Sequence, residues 1–524
     1  MIKFKVKGYI SQFGEKFIEI TQDGTDSVLV PRDLFSENNA EKRRYLWSRG
    51  VKVATDQALS SLLKEINKID GWKKASVASQ AGWNGPGLFV CLDGSIDAGP
   101  DQTRYLNAFD KGRRSQRAGT SKGWKKQVAG QISGQHLPIF AVAFSFLPPL
   151  LDLVTRNMNV GFNFFGPAAS GKTTLQQLAA SVWGPPTRNA SFPYMVTSHT
   201  TLNGLEDTMR EHCDHPVIMD EMALFSSGSS GKKKASDLQA FAYKLASGQA
   251  KTRHGDPANA KPYHFAILLS ANDPLSYFLD GGETDTAARQ RILDIPIFED
   301  RPHLIFDRIP KKYANGADFA QSLIAGAEQH HGRAGPKFVK RLVAARAADE
   351  EILRSRIKKL IDEFLDTVVD GHIKGHDTRV GGAFGLVYAA AVLAQEYRSL
   401  PQKLDVLAAV QQCYKLHRAH ETEFPPFAER LEALRKDKAT LRWKSGIPNK
   451  ISKAGVIYYE AGKLPEIWIR PNAIEEVFPD WWAIRESPEV EAHLLKDGEH
   501  YTTKRQAGKK LKSVRIHVFR LMSA

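Results

Sequence analysis

The stretch that decides the fold is Asn159 to Gly184, NVGFNFFGPAASGKTTLQQLAASVWG. Its middle, Gly166 to Thr173, spells G-x-x-x-x-G-K-T behind a short apolar run and ahead of a helical pattern. A buried strand over NVGFNFF would deliver the chain to a tight turn. There Gly166 and Gly171 let successive backbone N–H groups point inward at phosphate oxygens. The expected nucleotide loop is Gly166, Pro167, Ala168, Ala169, Ser170, Gly171, Lys172, Thr173 and Thr174. Lys172 would reach the β- and γ-phosphates, and the Thr173 hydroxyl would ligate Mg2+. A helix beginning there turns its positive end toward the anion. Leu175, Leu178, Ala179, Val182 and Trp183 fall on one face of it, and Gly184 with Pro185 stops it. ATP and Mg2+ are the ligands this pattern calls for.

A triphosphate site also needs a carboxylate on the metal side, at the end of another buried strand. HPVIMDEMALF supplies one: Pro216 to Met219 is short and apolar and ends in Asp220 and Glu221. Asp220 would hold the metal shell and Glu221 would polarise the attacking water. Between these motifs lie a candidate strand, SFPYMV, and a candidate helix, LNGLEDTMREHC. An inserted strand together with a glutamate beside the metal aspartate fits ring-forming and motor ATPases better than kinases or GTPases. YHFAILLSAND gives a further buried strand, and Asn272 at its end is placed to orient the attacking water. The simpler reading of Asn272 is an ordinary strand-to-turn residue. In DTAARQRILDIPIF, Arg289 and Arg291 precede one more strand. Arginines there can project away from their own site toward a neighbouring subunit's phosphate. Arg291 is preferred, and a solvated arginine pair is the alternative.

Working outward, 524 residues exceed one ordinary core. Hydrophobic content of 42% and charged content of 25% are those of a soluble globular protein. The net charge of +15, from 73 Lys and Arg against 58 Asp and Glu, favours a polyanionic partner. Cys91, Cys213 and Cys413 are far apart and form no C-x-x-C pair, which argues against a disulfide scaffold or zinc site and for a cytoplasmic setting. LPIFAVAFSFLPPLLDLV, Leu137 to Val154, carries Pro138, the pair Pro148 and Pro149, and Asp152. It is too short to span a bilayer and reads as a buried helix that breaks at the prolines, so no membrane partner is expected.

Residues 1–110 read as a β-rich N-terminal domain, with KFKVKGYI, EKFIEI and DSVLV alternating at period two. The ATPase core with a leading helix is expected over 111–310, a helical region over 311–435, and a basic domain over 440–524. KGRRSQRAGTSKGWKK, Lys111 to Lys126, holds seven Lys or Arg and no acid. It is either a solvated linker or a phosphate-contacting segment. SSGSSGKKK, Ser226 to Lys234, reads as a mobile loop.

GPAASGKT, VIMDE, LLSAN and the arginines before ILDIPI, in that order, resemble an AAA+ ATPase. GWNGPGLFVCLDG, GFNFFGPAASGKTTLQQLAASVWG and LASGQAKTR resemble the family known as domain of unknown function 927. FGLVYAAAVLAQEY, CYKLHRA and HYTTKRQAGKKLKSVRIHVFRL are similar to the tail region of such proteins. The resemblance runs from about residue 70 onward. It implies an α/β AAA+ P-loop core, ATP hydrolysis between the subunits of a hexamer, DNA in a central channel and a C-terminal winged-helix-like domain. Members are carried by phages, plasmids and genomic islands, and some act as self-loading replicative helicases of the cassette-chromosome type. The family often has a small or acidic residue where this chain has Asn272, so the role given to Asn272 is that of AAA+ proteins in general.

The residues point toward DNA as well. Lys251, Arg253 and His254 precede Gly255, Asp256 and Pro257, a hairpin tip. In related ring helicases a hairpin at this place grips the nucleic-acid backbone, and Lys and Arg there would give salt-dependent phosphate contacts. From Lys496 to the end there are eight Lys or Arg against two acids, patterned as helix, strand, basic loop, strand. Lys509, Lys510 and Lys512 would contact duplex phosphates without reading sequence. The expected protein is an ATP-dependent DNA helicase. The alternative is an ATP-switched AAA+ initiator or regulator that binds DNA without unwinding it.

Overall fold

The computed structural model describes residues 3–22, 26–99, 105–109, 116–154, 159–187, 189–197, 208–209, 211–220, 264–274, 291–298, 301–368, 375–423, 427–444, 456–460, 464–478, 481–485, 488–498, 500–507 and 512–521. The chain begins with strands β1 (Phe4–Ile10), β2 (Lys16–Gln22) and β3 (Val28–Pro31). Helices α1 (Asn39–Ser48) and α2 (Asp56–Ile66) and strand β4 (Trp72–Lys74) follow. The sheet order is β3-β2-β1-β4, with β1 and β2 antiparallel and Val6 opposite Ile20. The period-two alternation brings Phe4, Ile18, Ile20 and Val30 to one face, where Leu46 of α1 and Leu59 and Leu62 of α2 cover them. Asn38 caps α1 by accepting from Glu41 N, and Thr55 caps α2 by accepting from Ala58 N.

Five short strands come next: β5 (Val77–Ala78), β6 (Gly82–Trp83), β7 (Leu88–Val90), β8 (Ile96–Ala98) and β9 (Leu106–Asn107). Ala81, Trp83, Phe89, Cys91 and Leu92 from this stretch lie in the same hydrophobic core as the central sheet. The Trp83 indole N–H donates to Pro149 O at 2.9 Å, so its polar edge is satisfied where its ring is buried.

After α3 (Ser121–Trp124), helix α4 (His136–Phe144) is buried along its length from Leu137 to Phe144. It gives way at Pro148 to a 3-10 turn, Pro148–Leu153. The central sheet comprises β10 (Val160–Phe165), β11 (Val196–Thr197), β12 (Pro216–Asp220), β13 (Ala266–Ala271) and β14 (Ile292–Pro296). Its order is β11-β12-β13-β10-β14 and every pairing is parallel. Helix α5 (Lys172–Ala180) follows β10. A parallel sheet buried on both faces explains why β12 and β13 read as unbroken apolar runs rather than as alternation.

The next described elements are all helices: α6 (Gly316–Gln329), α7 (Ala334–Ala348), α8 (Glu350–Val368), α9 (Gly375–Glu396), α10 (Val406–Glu423) and α11 (Phe427–Lys436). Leu353, Ile357, Leu360 and Phe364 of α8 recur at helical spacing and bury one face, as its periodicity predicts. The last sheet is β15 (Leu441–Trp443), β16 (Val456–Tyr459), β17 (Glu466–Ile469), β18 (Thr503–Ala507) and β19 (Lys512–Arg520), in the order β15-β16-β17-β19-β18. With the helix Pro488–His493 ahead of β18, the stretch matches the expected helix, strand and returning strand. It has its own core around Phe427, Ile467, Trp481 and Phe519. Among the described residues no helix is long and apolar enough to cross a membrane. The three cysteines are free and buried.

Candidate functional site

Strand β10 ends at Phe165, and the chain turns at once through Gly166 (φ 149°) and later Gly171 (φ 96°). Both angles lie where a side chain is strained, and neither position has room for one. A Cβ on Gly166 would stand 2.5 Å from Ile297 O, and one on Gly171 would stand 2.8 Å from Ile305 Cδ1. The segment leaving β14 therefore lies against the loop and needs both glycines. Gly171 is also the N-cap of α5, so the unpaired N–H groups of that helix open onto the loop.

Lys172, the first residue of α5, folds back over the turn. Its Nζ donates to Gly166 O and Pro167 O, both at 2.7 Å, to Asn272 Oδ1 at 3.3 Å and to Ser170 Oγ at 3.5 Å. Burial holds its pKa below the ordinary lysine range, against the pull of Asp220 and Asp273. Asp220, at the end of β12, is buried. Its Oδ1 accepts from Ser270 Oγ at 2.9 Å and its Oδ2 from the Thr173 hydroxyl at 3.4 Å. The facing hydroxyl and carboxylate are hard oxygen donors of the kind Mg2+ takes, so the residues present fit that ion. Among the described residues no group of three or more His, Cys, Asp or Glu could hold a metal by itself. A cation here would therefore rest on a mixed hydroxyl and carboxylate set.

The sheet order explains the convergence. β13 lies between β10 and β12, so Asn272, just past its end, comes to the side of the loop opposite Ile297. Gln176 pins the arrangement: its buried amide donates to Met219 O at 2.6 Å and to Leu268 O at 3.4 Å, tying α5 to β12 and β13. Sequence reasoning overlooked Gln176 and the roles of Ser270 and Asp273. Alternation held a signal for Ser270, which stands two residues before Asn272 at the end of β13.

Arg291 is elsewhere. Its carbonyl accepts from Gly161 N at 2.6 Å, which sets it at the start of β14 beside the start of β10. At ~3.3 Å per residue that is roughly 16 Å from the loop at the far end of β10. The residue is half-buried and engaged in contacts. The structure thus unites the loop residues, Asp220 and Asn272, and keeps Arg291 apart from them. Glu221, Lys251, Arg253, His254, Arg289, Lys509 and Lys510 lie outside the described residues, as does the side chain of Lys512.

The fold has a solved relative. The chain aligns over 99% of its length with 93% of a structure described as SCCmec type IV Cch, an active helicase, at 14% identity and a TM-score of 0.59. That similarity establishes a shared fold. The C-terminal region of NrS-1 matches over 78% of this chain at 10% identity with a TM-score of only 0.26, too low to carry weight. No curated protein matches the sequence. Residues 12–263 match the family described as domain of unknown function (DUF927).

Proposed function

We propose that the protein is an AAA+ ATPase that unwinds DNA, working as a ring of identical subunits, the hexamer that the family resemblance implies. The observation that carries the reading is the convergence of Lys172, Thr173, Asp220 and Asn272 at one end of a parallel sheet with β13 inserted between β10 and β12. The helicase activity of the solved relative with the same fold supports the choice of reaction.

In this reading the N–H groups of Gly166 to Thr174 and the Lys172 ammonium hold the β- and γ-phosphates of ATP. Thr173 and Asp220 hold Mg2+, which when bound neutralises charge on the phosphate oxygens. Ser270 keeps the Asp220 carboxylate turned toward Thr173. Glu221 accepts a proton from the attacking water, and Asn272 orients that water by its amide. Lys172 is well suited to the task. Without ligand its ammonium is satisfied by carbonyl and amide oxygens, and it can exchange those neutral acceptors for phosphate at little reorganisation cost.

Arg291, or its neighbour Arg289, acts on the next subunit's phosphate. An arginine side chain reaches about 7 Å, well short of the ~16 Å back to its own loop, so a phosphate that it meets belongs to another copy. Hydrolysis around the ring moves the Lys251, Arg253 and His254 hairpin along one strand. Lys509, Lys510 and Lys512 steady the duplex by its phosphates.

ATPase and forked-duplex unwinding by the purified protein, beside Lys172→Ala, test the reading. ATP-dependent strand displacement lost in Lys172→Ala is the expected result. DNA binding and ATP hydrolysis without displacement would mark a switch that recruits a separate helicase.

A further inference from the structure

The basic stretch that ends at Lys126 leads into a second cluster of cations, far from the phosphate loop. Lys125 Nζ donates to Arg398 O at 2.5 Å, and Lys337 Nζ donates to the same oxygen at 2.8 Å. Two ammonium groups therefore share one carbonyl, and the guanidinium of Arg398 belongs to the same residue. Among the described residues none of the three forms a salt bridge. The adjacent carboxylate, Glu396, is engaged by Arg356 at 2.6 Å. Three like charges gathered without a counter-charge repel one another, and the arrangement costs free energy that one ammonium on the carbonyl would avoid.

The backbone at Arg398 points the same way. It has φ +56°, a left-handed conformation, just past the end of α9 at Glu396. Ser399 N and Leu400 N both bond back to Ala394 O there, and a glycine is the residue that ends helices in this way without strain. An exposed arginine held at a glycine position has a side chain with a use. Lys122 and Lys126 are exposed on the same short helical stretch as Lys125.

The cluster also stands apart from the nucleotide. Trp124 Nε1 donates to Ser181 Oγ at 2.9 Å, and Gly335 N donates to Val182 O at 3.0 Å. These contacts fix the corner to the C-terminal end of α5, while the loop lies at its N-terminal end. A helix of nine residues separates them, a length of about 13 Å.

We propose that Lys125, Lys337 and Arg398 form a binding site for backbone phosphates of DNA, separate from the pore hairpin and the C-terminal domain. The proposal rests on the DNA reading of the previous section for the identity of its ligand. Phosphodiester oxygens supply the missing counter-charge, and the contacts read no sequence.

The test uses the full chain and a labelled oligo-dT strand, with binding measured across a salt series. Lys125→Gln with Lys337→Gln keeps an amide donor for the Arg398 carbonyl and removes two charges. We expect about tenfold weaker binding near 0.1 M salt and a log K against log salt slope lower by about one to two. Melting temperature and binding of a fluorescent ATP analogue should be unchanged. Arg398→Gly relieves the backbone strain, so it should melt no lower than the wild type and still bind the strand less tightly. If both variants keep the wild-type affinity and slope, the site is overturned and the lysines only cap α9. If the wild-type protein binds neither oligo-dT nor a duplex, the DNA reading itself falls, and this ligand with it.

Discussion

The two ends of the central parallel sheet carry polar groups under opposite conditions. At the end where β10, β12 and β13 finish, Lys172 is half-buried and rests on neutral oxygens, and Thr173 faces Asp220 across 3.4 Å. At the end where β12 and β13 begin, charges are sunk into the core and matched. Asp214 accepts from Trp83 N at 2.8 Å and lies 3.6 Å from His264 Nδ1. Arg346 reaches Asp152 at 2.7 Å and Glu350 at 2.9 Å, and its guanidinium stacks 4.4 Å from the Trp83 ring. Burial of Asp214 and Arg346 makes the second set a matter of integrity, since either charge left alone has little water to turn to. Partial exposure makes the first set available for exchange with a ligand. In the proposed function, one end of the sheet changes partners and the other keeps them.

Mutations at the two ends should therefore separate activity from stability. Lys172→Ala should reduce ATP turnover about a thousandfold while leaving the melting curve in place, because its present partners are half-exposed carbonyls. A parallel fall in melting temperature would blur the distinction. Arg346→Ala should do the reverse. Removing a buried cation from Asp152, Glu350 and Trp83 should cost about 3 kcal/mol in denaturant unfolding, with ATP binding at the loop intact in the fraction that remains folded.

His215 sharpens the contrast through pH. It lies just before β12, donates from Nδ1 to Cys213 O at 2.7 Å, and packs its ring 4.7 Å from Trp183. Burial pushes its pKa down to about 3, so the folded chain keeps it neutral. The unfolded chain takes up a proton below about 6.5. The stability that His215 contributes is therefore complete above that pH and is lost as pH falls toward 3, by up to about 1.4 kcal/mol per unit. His215→Asn should flatten this acid limb in melting experiments. An unchanged limb would assign it to other groups. The smallest effect belongs to Ser270→Ala, which frees one oxygen of Asp220 and should weaken Mg2+-dependent ATP binding by less than tenfold.

How much of this was legible in the sequence follows from how local the signal is. The strand, turn and helix around Gly166 to Thr174 and the strand ending in Asp220 could be read because their residue patterns are local in the sequence. Helix α1 could not: NAEKRRYLWS is charged nearly all round and buries only Leu46, so it has no periodicity to detect. Trp83 illustrates a second limit. It lies in the stretch assigned from sequence to the N-terminal domain, yet its ring is in the core beneath the central sheet. Contacts with Asp214 and Pro149, far along the chain, hold it there, and no local pattern announces them. The cluster of Lys125, Lys337 and Arg398 is non-local in the same way.

The central claim is that one subunit's loop and another's arginine make a single catalytic unit. Mixing Lys172→Ala with Arg291→Ala protein tests it most directly, since each variant supplies what the other lacks. Interfaces that join the intact loop of one to the intact arginine of the other should hydrolyse ATP, so two inactive preparations should recover activity on mixing. Mixed assemblies that form normally and stay as inactive as either parent, for Arg291 and for Arg289 alike, would contradict the account.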